Sequence, residues 1–347
     1  MCNVDIHQGE VWIFLDSLTF GGIETHVVEL ARGLKQCHQP VRVILLTKFT
    51  TVSAIITKLT QSDIPFNYLY ELTNALPSQR FLDLLRQCKA ACTLHHPSVL
   101  HAHGYKASLV SKLASGRTKQ ITTFHSGETP AGLIRVYDLL DRYSAFLSHT
   151  SFVVSDKIAN KIPFQTQKLN NFIDTQSLIS CSGKEVAFVG RLSHEKGPDR
   201  FIQIAGLLPD YQFSIYGDGE LTGSLKAIAS GNVHFHGFQS DMPSVWESIG
   251  VLLITSRYEG LPMTALEAMA RGIPVISTNV GAIESLIQNE NNGWVVEQTI
   301  QFPALIEQWF SADDNYRQNI RLNAKNTVNT YFSSQSVIPQ IIEYYKQ

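Results

Sequence analysis

Two glutamates, Glu259 and Glu267, carry the clearest chemistry in the sequence. They lie in Ser256-Arg-Tyr-Glu-Gly-Leu-Pro-Met-Thr-Ala-Leu-Glu-Ala-Met-Ala-Arg271, which runs on into Gly272-Ile-Pro-Val275. Glu259 stands beside Gly260 in what reads as a loop. Glu267 falls inside Thr264-Ala-Leu-Glu-Ala-Met-Ala270, a strong helix former. One carboxylate at a helix mouth and another two turns down its barrel can grip a polyhydroxyl ligand at two points. The free N–H groups of the first helical turn point the same way and favour an anion such as phosphate. A sugar nucleotide offers both hydroxyls and phosphates. The structural alternative for Glu267 is an i,i+4 pair with Arg271.

A second constellation is Val189-Gly-Arg191-Leu-Ser-His-Glu-Lys196-Gly-Pro-Asp199. Two cations in a loop before a helix suit a diphosphate, the guanidinium as a fork and the ammonium as a point charge. Walker spacing is absent, so this is no nucleotide-hydrolysing P-loop. The competing reading is a solvated loop in which Arg191 and Lys196 pair with Glu195 and Asp199. Phe20-Gly21-Gly22-Ile-Glu24 lets backbone approach a ligand at a helix start. Thr122-Thr-Phe-His125-Ser-Gly127 sets a histidine at a strand's carboxyl end, and a structural histidine is the alternative there. Tyr216-Gly217-Asp-Gly-Glu-Leu221 and His236-Gly-Phe-Gln239 are strand-end turns able to cup a base. His101 and His103 share one strand face, and with His95 and His96 they raise a zinc site as an alternative.

The elements that carry these residues alternate. Strands fit Val11–Leu15, Val41–Leu46, Val99–His103, Ile121–Phe124 and Ser151–Val154, and the apolar spacing of Glu24–Leu34 is helical. The pattern restarts after 165–171, with strands at Glu185–Val189, Gln212–Tyr216, Val233–His236, Val251–Ile254 and Pro274–Ser277. Pro198 opens a helix where its missing N–H costs least. Such alternation predicts α/β architecture: two tandem Rossmann-like, doubly wound domains facing across a cleft, with ligands at the carboxyl ends of the strands. The expected segments are 1–168, 169–332, and a final segment 333–347.

The 347 residues suffice for two cores, and 44% apolar against 17% charged residues marks a globular chain. No apolar run reaches membrane-span length, and the N-terminus reads as lacking a signal peptide, so a cytoplasmic protein is expected. Five scattered cysteines fit reduced thiols; Cys88 and Cys92, one helical turn apart, have no partners at ligand spacing. Residues 1–168 hold 17 Lys+Arg against 12 Asp+Glu, a balance of +5, whereas residues 169–347 hold 11 against 18, a balance of −7. A basic half can face anionic lipid or an acidic acceptor, or reflect ordinary surface scatter. Arg80-Phe-Leu-Asp-Leu-Leu-Arg86 either touches a membrane surface or faces the core. No basic stripe with interleaved aromatics points to nucleic acid.

Taken together, Gly21-Gly22-Ile-Glu24, Thr123-Phe-His125, Asn171-Phe-Ile-Asp174, Phe188-Val-Gly-Arg191 with Glu195-Lys196-Gly197, Tyr216-Gly-Asp-Gly-Glu220, His236-Gly-Phe238, Glu259-Gly-Leu-Pro262 with Leu266-Glu267-Ala-Met-Ala270, and Gly272-Ile-Pro-Val-Ile276 run in family order. The chain resembles the retaining GT-B glycosyltransferases of family GT4 over nearly its whole length. The resemblance implies that Arg191 and Lys196 hold the donor diphosphate and stabilise it as it leaves. It implies that Glu267 accepts hydrogen bonds from the ribose and that Glu259 contacts hydroxyls of the transferred sugar. Backbone N–H groups of Met263 and Thr264 meet the phosphates, Gly22 lies close to the diphosphate, and His125 touches the sugar or phosphate and the acceptor edge. The last segment, with Ser336–Tyr345, packs back on the N-terminal domain.

Three positions depart from the family pattern: Pro262 and Phe172, where relatives have glycine, and Gly281-Ala282 for Gly-Gly. The expected reaction is retaining transfer of a sugar, from UDP rather than GDP, to a hydroxyl of a glycan or lipid-linked acceptor in surface polysaccharide synthesis. The sequence holds no Asp-x-Asp, and neither metal nor cofactor is expected; peripheral membrane contact is. The rivals are a sugar-nucleotide 2-epimerase of the same fold and a non-catalytic sugar-nucleotide-binding protein.

Overall fold

A computed structural model of the chain describes residues 6–16, 21–49, 53–125, 132–176 and 178–347. Cys2, Phe20 and the Ser126-Gly127 pair lie outside the described residues. The chain divides into two compact units, Met1–Asn171 with Ser334–Gln347, and Phe172–Ser333.

The first unit is built on β1 (Val11–Leu15), β2 (Val41–Leu45), β3 (Phe66–Tyr68), β4 (Val99–His103), β5 (Lys119–Phe124), β6 (Thr150–Val153) and β7 (Gln167–Lys168). All pair in parallel, in the order β3-β2-β1-β4-β5-β6-β7. Strand β1 is an apolar run buried on both faces, as parallel strands covered by helices must be, and β2 is the same but for Arg42, buried in an ion pair with Glu10 at 2.9 Å. The helix Gly22–Gln36 buries Val27, Val28, Leu30, Ala31 and Leu34, the stripe that its spacing predicts. Strands β3 and β7, of three and two residues, are too short to leave a periodic signal.

The helix Ser334–Lys346 belongs to this unit, and Ile338 fills the space left by Gly33. A Cβ on Gly33 would lie 2.4 Å from Ile338 Cγ1, so the glycine is what permits the helices to close. Cys88 and Cys92 sit on one face of the helix Phe81–His95 and are buried in the core. Their mutual hydrogen bond and burial hold the Cys88 thiol well above its usual range.

The second unit contains β8 (Glu185–Val189), β9 (Phe213–Tyr216), β10 (Val233–Gly237), β11 (Ile249–Ile254), β12 (Val275–Thr278) and β13 (Trp294–Val296). These strands are also parallel, in the order β10-β9-β8-β11-β12-β13. Under one face Phe188, Phe201 and Phe213 pack edge to face, with ring centroids 5.7 and 5.4 Å apart. The two ends of this unit adjoin: Ile173 bridges Ser333, and Ile173 N donates to Phe332 O at 3.0 Å. In both units the strand order reverses once, between β1 and β4 and between β8 and β11. Loops at the carboxyl ends of such neighbours diverge to opposite faces and leave a crevice for a ligand. Among the described residues no helix is long and apolar enough to cross a membrane.

Candidate functional site

Both sequence constellations of the second unit fall on its reversal point. Strand β8 ends in the loop that carries Arg191 and Lys196, and β11 ends in the loop that carries Glu259. Three contacts lock these loops together. Gly197 adopts φ +64°, and a Cβ there would lie 2.3 Å from the Thr255 carbonyl oxygen. Thr255 Oγ1 donates to Gly197 O at 2.9 Å. Arg257 closes a two-pronged bridge onto Asp199, Nη1 to Oδ1 at 2.8 Å and Nη2 to Oδ2 at 2.6 Å, and its backbone N donates to Glu195 O at 2.7 Å. The fork holds the Asp199 carboxyl below the usual carboxylate range.

Lys196 is thereby brought to Glu259. Its Nζ donates to Glu259 Oε1 at 2.5 Å, and Ser256 Oγ donates to the same oxygen at 2.8 Å. The solvated-loop pairing is corrected here: Lys196 bonds a carboxylate 63 residues away rather than neighbouring Glu195, and Asp199 bonds Arg257. An ammonium has three N–H donors, so Lys196 can keep Glu259 and still offer a proton to a phosphate. Arg191 is exposed on the same loop.

The helix Met263–Ala270 starts directly after this pair. Pro262 is its N-cap, and the Pro262 carbonyl accepts from Ala265 N at 3.2 Å and Leu266 N at 3.4 Å. The missing N–H of Pro262 is therefore outside the first turn, and the Met263 and Thr264 N–H groups remain at the helix mouth. Glu267 is half-buried one turn on, and Arg271 donates to its backbone carbonyl at 2.8 Å while stacking on Trp246. Gly281, at φ +61°, seats its loop on Glu259-Gly260, where a Cβ would fall 2.0 Å from Gly260 O. Gly217 does the same for β9 and β8, since a Cβ there would fall 1.9 Å from Gly190 O. Tyr216 lies stacked on His236 and donates to Glu185 Oε2 at 2.6 Å, which turns its ring along the sheet.

The first unit has its own reversal point. Asp16, just past β1, pairs with Lys106 at 3.2 Å and accepts from the Thr47 hydroxyl. Gly21 caps the helix Gly22–Gln36, with its N–H donating to Glu24 Oε2 at 2.9 Å, and a Cβ on Gly22 would meet open space. Four imidazoles gather at the ends of β4 and β5. His103 Nδ1 and His125 Nε2 share a hydrogen bond of 2.8 Å, and His26 sits edge-on to His125 with centroids 4.7 Å apart. His101 is tied to Thr123 Oγ1 at 2.7 Å and Tyr345 Oη at 2.6 Å.

Burial keeps all four neutral. Desolvation, opposed by a hydrogen bond to the Asn171 side chain, takes His26 down to about 4. Desolvation with the neighbouring His26 takes His101 to about 3. His103 and His125 are pushed well below their usual value by burial first and by neighbouring imidazoles second. His95 does not join this group, because its Nε2 bonds Leu72 O at 2.8 Å near the start of β4; the zinc set built on His95 and His96 is thus corrected. Instead His26, His103 and His125 each bring a nitrogen within 4.8 Å of the others. That is the donor set of a metal triad, though the His103–His125 bond already occupies one nitrogen of each.

Sequence reasoning named Arg191, Lys196, Glu259, Glu267, Met263, Thr264 and Gly217, and all lie around one reversal point. Gly21, Gly22 and His125 lie around the other. It missed Ser256, the Arg257–Asp199 fork, Asp16, Lys106 and His26. Asp16, directly after the predicted strand Val11–Leu15, had a signal, and Lys106 and Arg257, each three residues past a predicted strand, a weaker one.

Two family models cover most of the chain: "Glycosyltransferase Family 4" over residues 20–164 and "Glycosyl transferases group 1" over 171–327. The O-antigen biosynthesis glycosyltransferase WbnH of Escherichia coli is 30% identical over 216 residues, 58% of this chain and 63% of that protein. An Escherichia coli UDP-Gal:alpha-D-GlcNAc-diphosphoundecaprenol alpha-1,3-galactosyltransferase is 33% identical over 121 residues, 31% of each. The match thus spans less than two thirds of either relative's length. Among solved structures, Anabaena Alr3699/HepE in complex with UDP and glucose superposes with a TM-score of 0.82 at 19% identity, over 98% of this chain and 100% of that one.

Proposed function

The chain belongs to the glycosyl transferases group 1, within the family GT4 enzymes of GT-B fold, and from that premise we propose that it moves a sugar from a nucleoside diphosphate to an acceptor hydroxyl with retention at the anomeric carbon. One observation carries the reading: the Lys196–Glu259 pair at 2.5 Å, at the mouth of the helix Met263–Ala270 and on the reversal point of its sheet.

As the C1–O bond breaks, negative charge builds on the departing diphosphate. Lys196, Arg191 and the Met263 and Thr264 N–H groups are fixed donors for that charge, and need no reorganisation when it appears. Glu259 orients the ammonium and presents its carboxylate to sugar hydroxyls. Glu267 takes the ribose hydroxyls. No side chain here need act as a general base, because the leaving phosphate oxygen can take the acceptor's proton on the face it departs from. His125, held neutral, serves as a hydrogen-bonding group toward the sugar and acceptor rather than as an acid.

UDP is the favoured nucleotide, supported by the UDP bound to the Anabaena protein and by the UDP-sugar in the name of the Escherichia coli galactosyltransferase. The diphosphoundecaprenol in that name and the O-antigen role of the other relative support a lipid-linked glycan acceptor in surface polysaccharide synthesis, reached from the cytoplasmic side. The reaction as read is metal-independent.

The test is transfer from UDP-sugars by the wild type, Lys196→Ala and Glu267→Ala, with and without excess EDTA. Loss in both variants and indifference to EDTA are expected. Near-wild-type rates in both would remove the site assignment. Strict metal dependence would overturn the metal-free mechanism and direct attention to the imidazole triad. NMR of donor with enzyme alone separates transfer from epimerisation.

A further inference from the structure

The four imidazoles at the ends of β4 and β5 are not equivalent. Both nitrogens of His101 are taken, one by Thr123 Oγ1 at 2.7 Å and one by Tyr345 Oη at 2.6 Å. Its ring packs against that of His103, with centroids 4.5 Å apart, and so props it in place. The other three arrive on separate elements. His26 comes from the helix Gly22–Gln36, His103 from the last position of β4, and His125 from the residue after β5. Each of these three brings one nitrogen within 4.8 Å of the others. His26 and His103 are 1% and 0% exposed and His125 is half-buried, so of the three only His125 meets solvent.

Two further features point to a ligand. His103 Nε2 is fully buried and has no hydrogen-bond partner among the described residues. A buried polar atom is rarely left so in a folded protein, and an ion is one of the partners that completes it. The Asn171 side chain hydrogen-bonds the His26 ring. An imidazole held at one nitrogen turns the other toward a metal, which is how ligating histidines are commonly oriented. His103 reaches a metal through either nitrogen. Ligation through Nε2 keeps its 2.8 Å bond to His125, whereas ligation through Nδ1 puts the metal in place of the shared proton. Tetrahedral zinc, with Zn–N of about 2.0–2.1 Å, spaces its nitrogens about 3.3 Å apart, so the wider separations in the triad must close on binding. The donor set also selects the ion. No carboxylate joins it, and the nearby Asp16 is engaged by Lys106 and the Thr47 hydroxyl. Three neutral imidazoles suit zinc and its borderline neighbours, and they do not suit magnesium or calcium, which take oxygen ligands.

We propose that His26, His103 and His125 bind one Zn2+ ion, with water in the fourth position, and that the bound ion inhibits transfer by withdrawing His125 from the substrate. The inhibition rests on the role proposed for His125 toward the sugar and acceptor, whereas the metal site itself does not. The ion takes no part in the reaction, which stays metal-independent. It acts as a brake on the first unit, applied when free zinc rises and released by a chelator.

The test uses the full chain without an affinity tag, stripped of metal with EDTA and moved to chelator-free buffer. Zn2+ is titrated by calorimetry and Co2+ by visible absorption, both without nucleotide. One equivalent is expected to bind, and Co2+ is expected to give the strong bands of a tetrahedral ion. His26→Gln and His103→Gln should each weaken Zn2+ binding about a hundredfold or more. Nitrogen NMR of wild type serves if a variant misfolds: the ring nitrogens of His26, His103 and His125 should shift on adding Zn2+, and those of exposed His194 and His234 should not. In the transfer assay Zn2+ should inhibit wild type, EDTA should restore the rate, and His26→Gln should resist. The metal site is overturned if wild type binds no stoichiometric Zn2+. It is equally overturned if both variants bind like wild type or if only exposed histidines shift, since the ion would then sit on the surface. Zn2+ held at the triad with the transfer rate unchanged would overturn the brake. Zn2+ held there by a chain that transfers no sugar would remove the transferase reading, and the brake with it, while the metal site stands.

Discussion

Lowering the pH should loosen the first unit while sparing the second. His26 is held at about 4 and His101 at about 3, whereas an unfolded histidine titrates near 6.5. A depressed imidazole pKa means that the unfolded chain binds more protons than the folded one below pH 6.5. The stability these groups contribute is therefore full above that value and drains away as pH falls toward 4. At pH 5 the unfolded imidazole is about 97% protonated and folded His26 about 10%, which makes the loss about 2 kcal/mol, and His101 adds a similar amount. Asp138 and Asp141, raised by burial, work in the opposite sense and offset part of it.

Hydrogen exchange at pH 7.5 and 5, corrected for intrinsic rates, reads each unit separately. Amides of β4 and β5 should lose protection by about thirtyfold per histidine, and those of β8 and β11 should not follow. The double variant His26→Gln/His101→Gln keeps the aspartates and leaves His103 and His125, also held well below their usual value, so its protection in β4 and β5 should fall by less than that of the wild type. Equal protection at both pH values in wild type, or an equal fall in wild type and the double variant, would refute the reasoning.

Gly281→Ala forces a Cβ to within 2.0 Å of the Gly260 carbonyl, so the Glu259 loop must shift. UDP affinity measured by calorimetry should fall by at least tenfold while the far-ultraviolet dichroism stays native. Arg257→Lys keeps the charge but loses the fork onto Asp199, and kcat for transfer should drop more than the melting temperature, which should move by only a few degrees. Glu259→Gln leaves Lys196 without its anionic partner and should cut kcat about tenfold to a hundredfold with little change in Kd for UDP alone. A proportional loss of UDP affinity would place Glu259 on the nucleotide instead.

Strands β1, β8 and β11 were legible because they are largely apolar runs, as burial on two faces demands, and β4 and β8 are also ended by a glycine. Strands β3, β7 and β13, at two or three residues each, are held by their neighbours rather than by their own composition. In the second unit charge type and helix start were enough to name Lys196, Glu259 and Glu267. Ser256 and the Arg257–Asp199 fork were not legible, since their meaning depends on two loops meeting across 58 residues of chain. His26 was hidden for the same reason: nothing within a helix at residue 26 announces imidazoles on β4 and after β5.

The bridge between Ile173 and Ser333 has a consequence for biosynthesis. The second unit is an insertion within the first, and its two ends leave side by side. During synthesis the first unit must wait for the Ser334–Lys346 helix, with the hydroxyl that His101 needs, until the whole second unit has been made. A polypeptide joining Asn171 to Ser334 through a short glycine linker should therefore fold as a free-standing first unit. Release of the chain before Tyr345 should leave the imidazole cluster uncovered and the first unit dependent on chaperones.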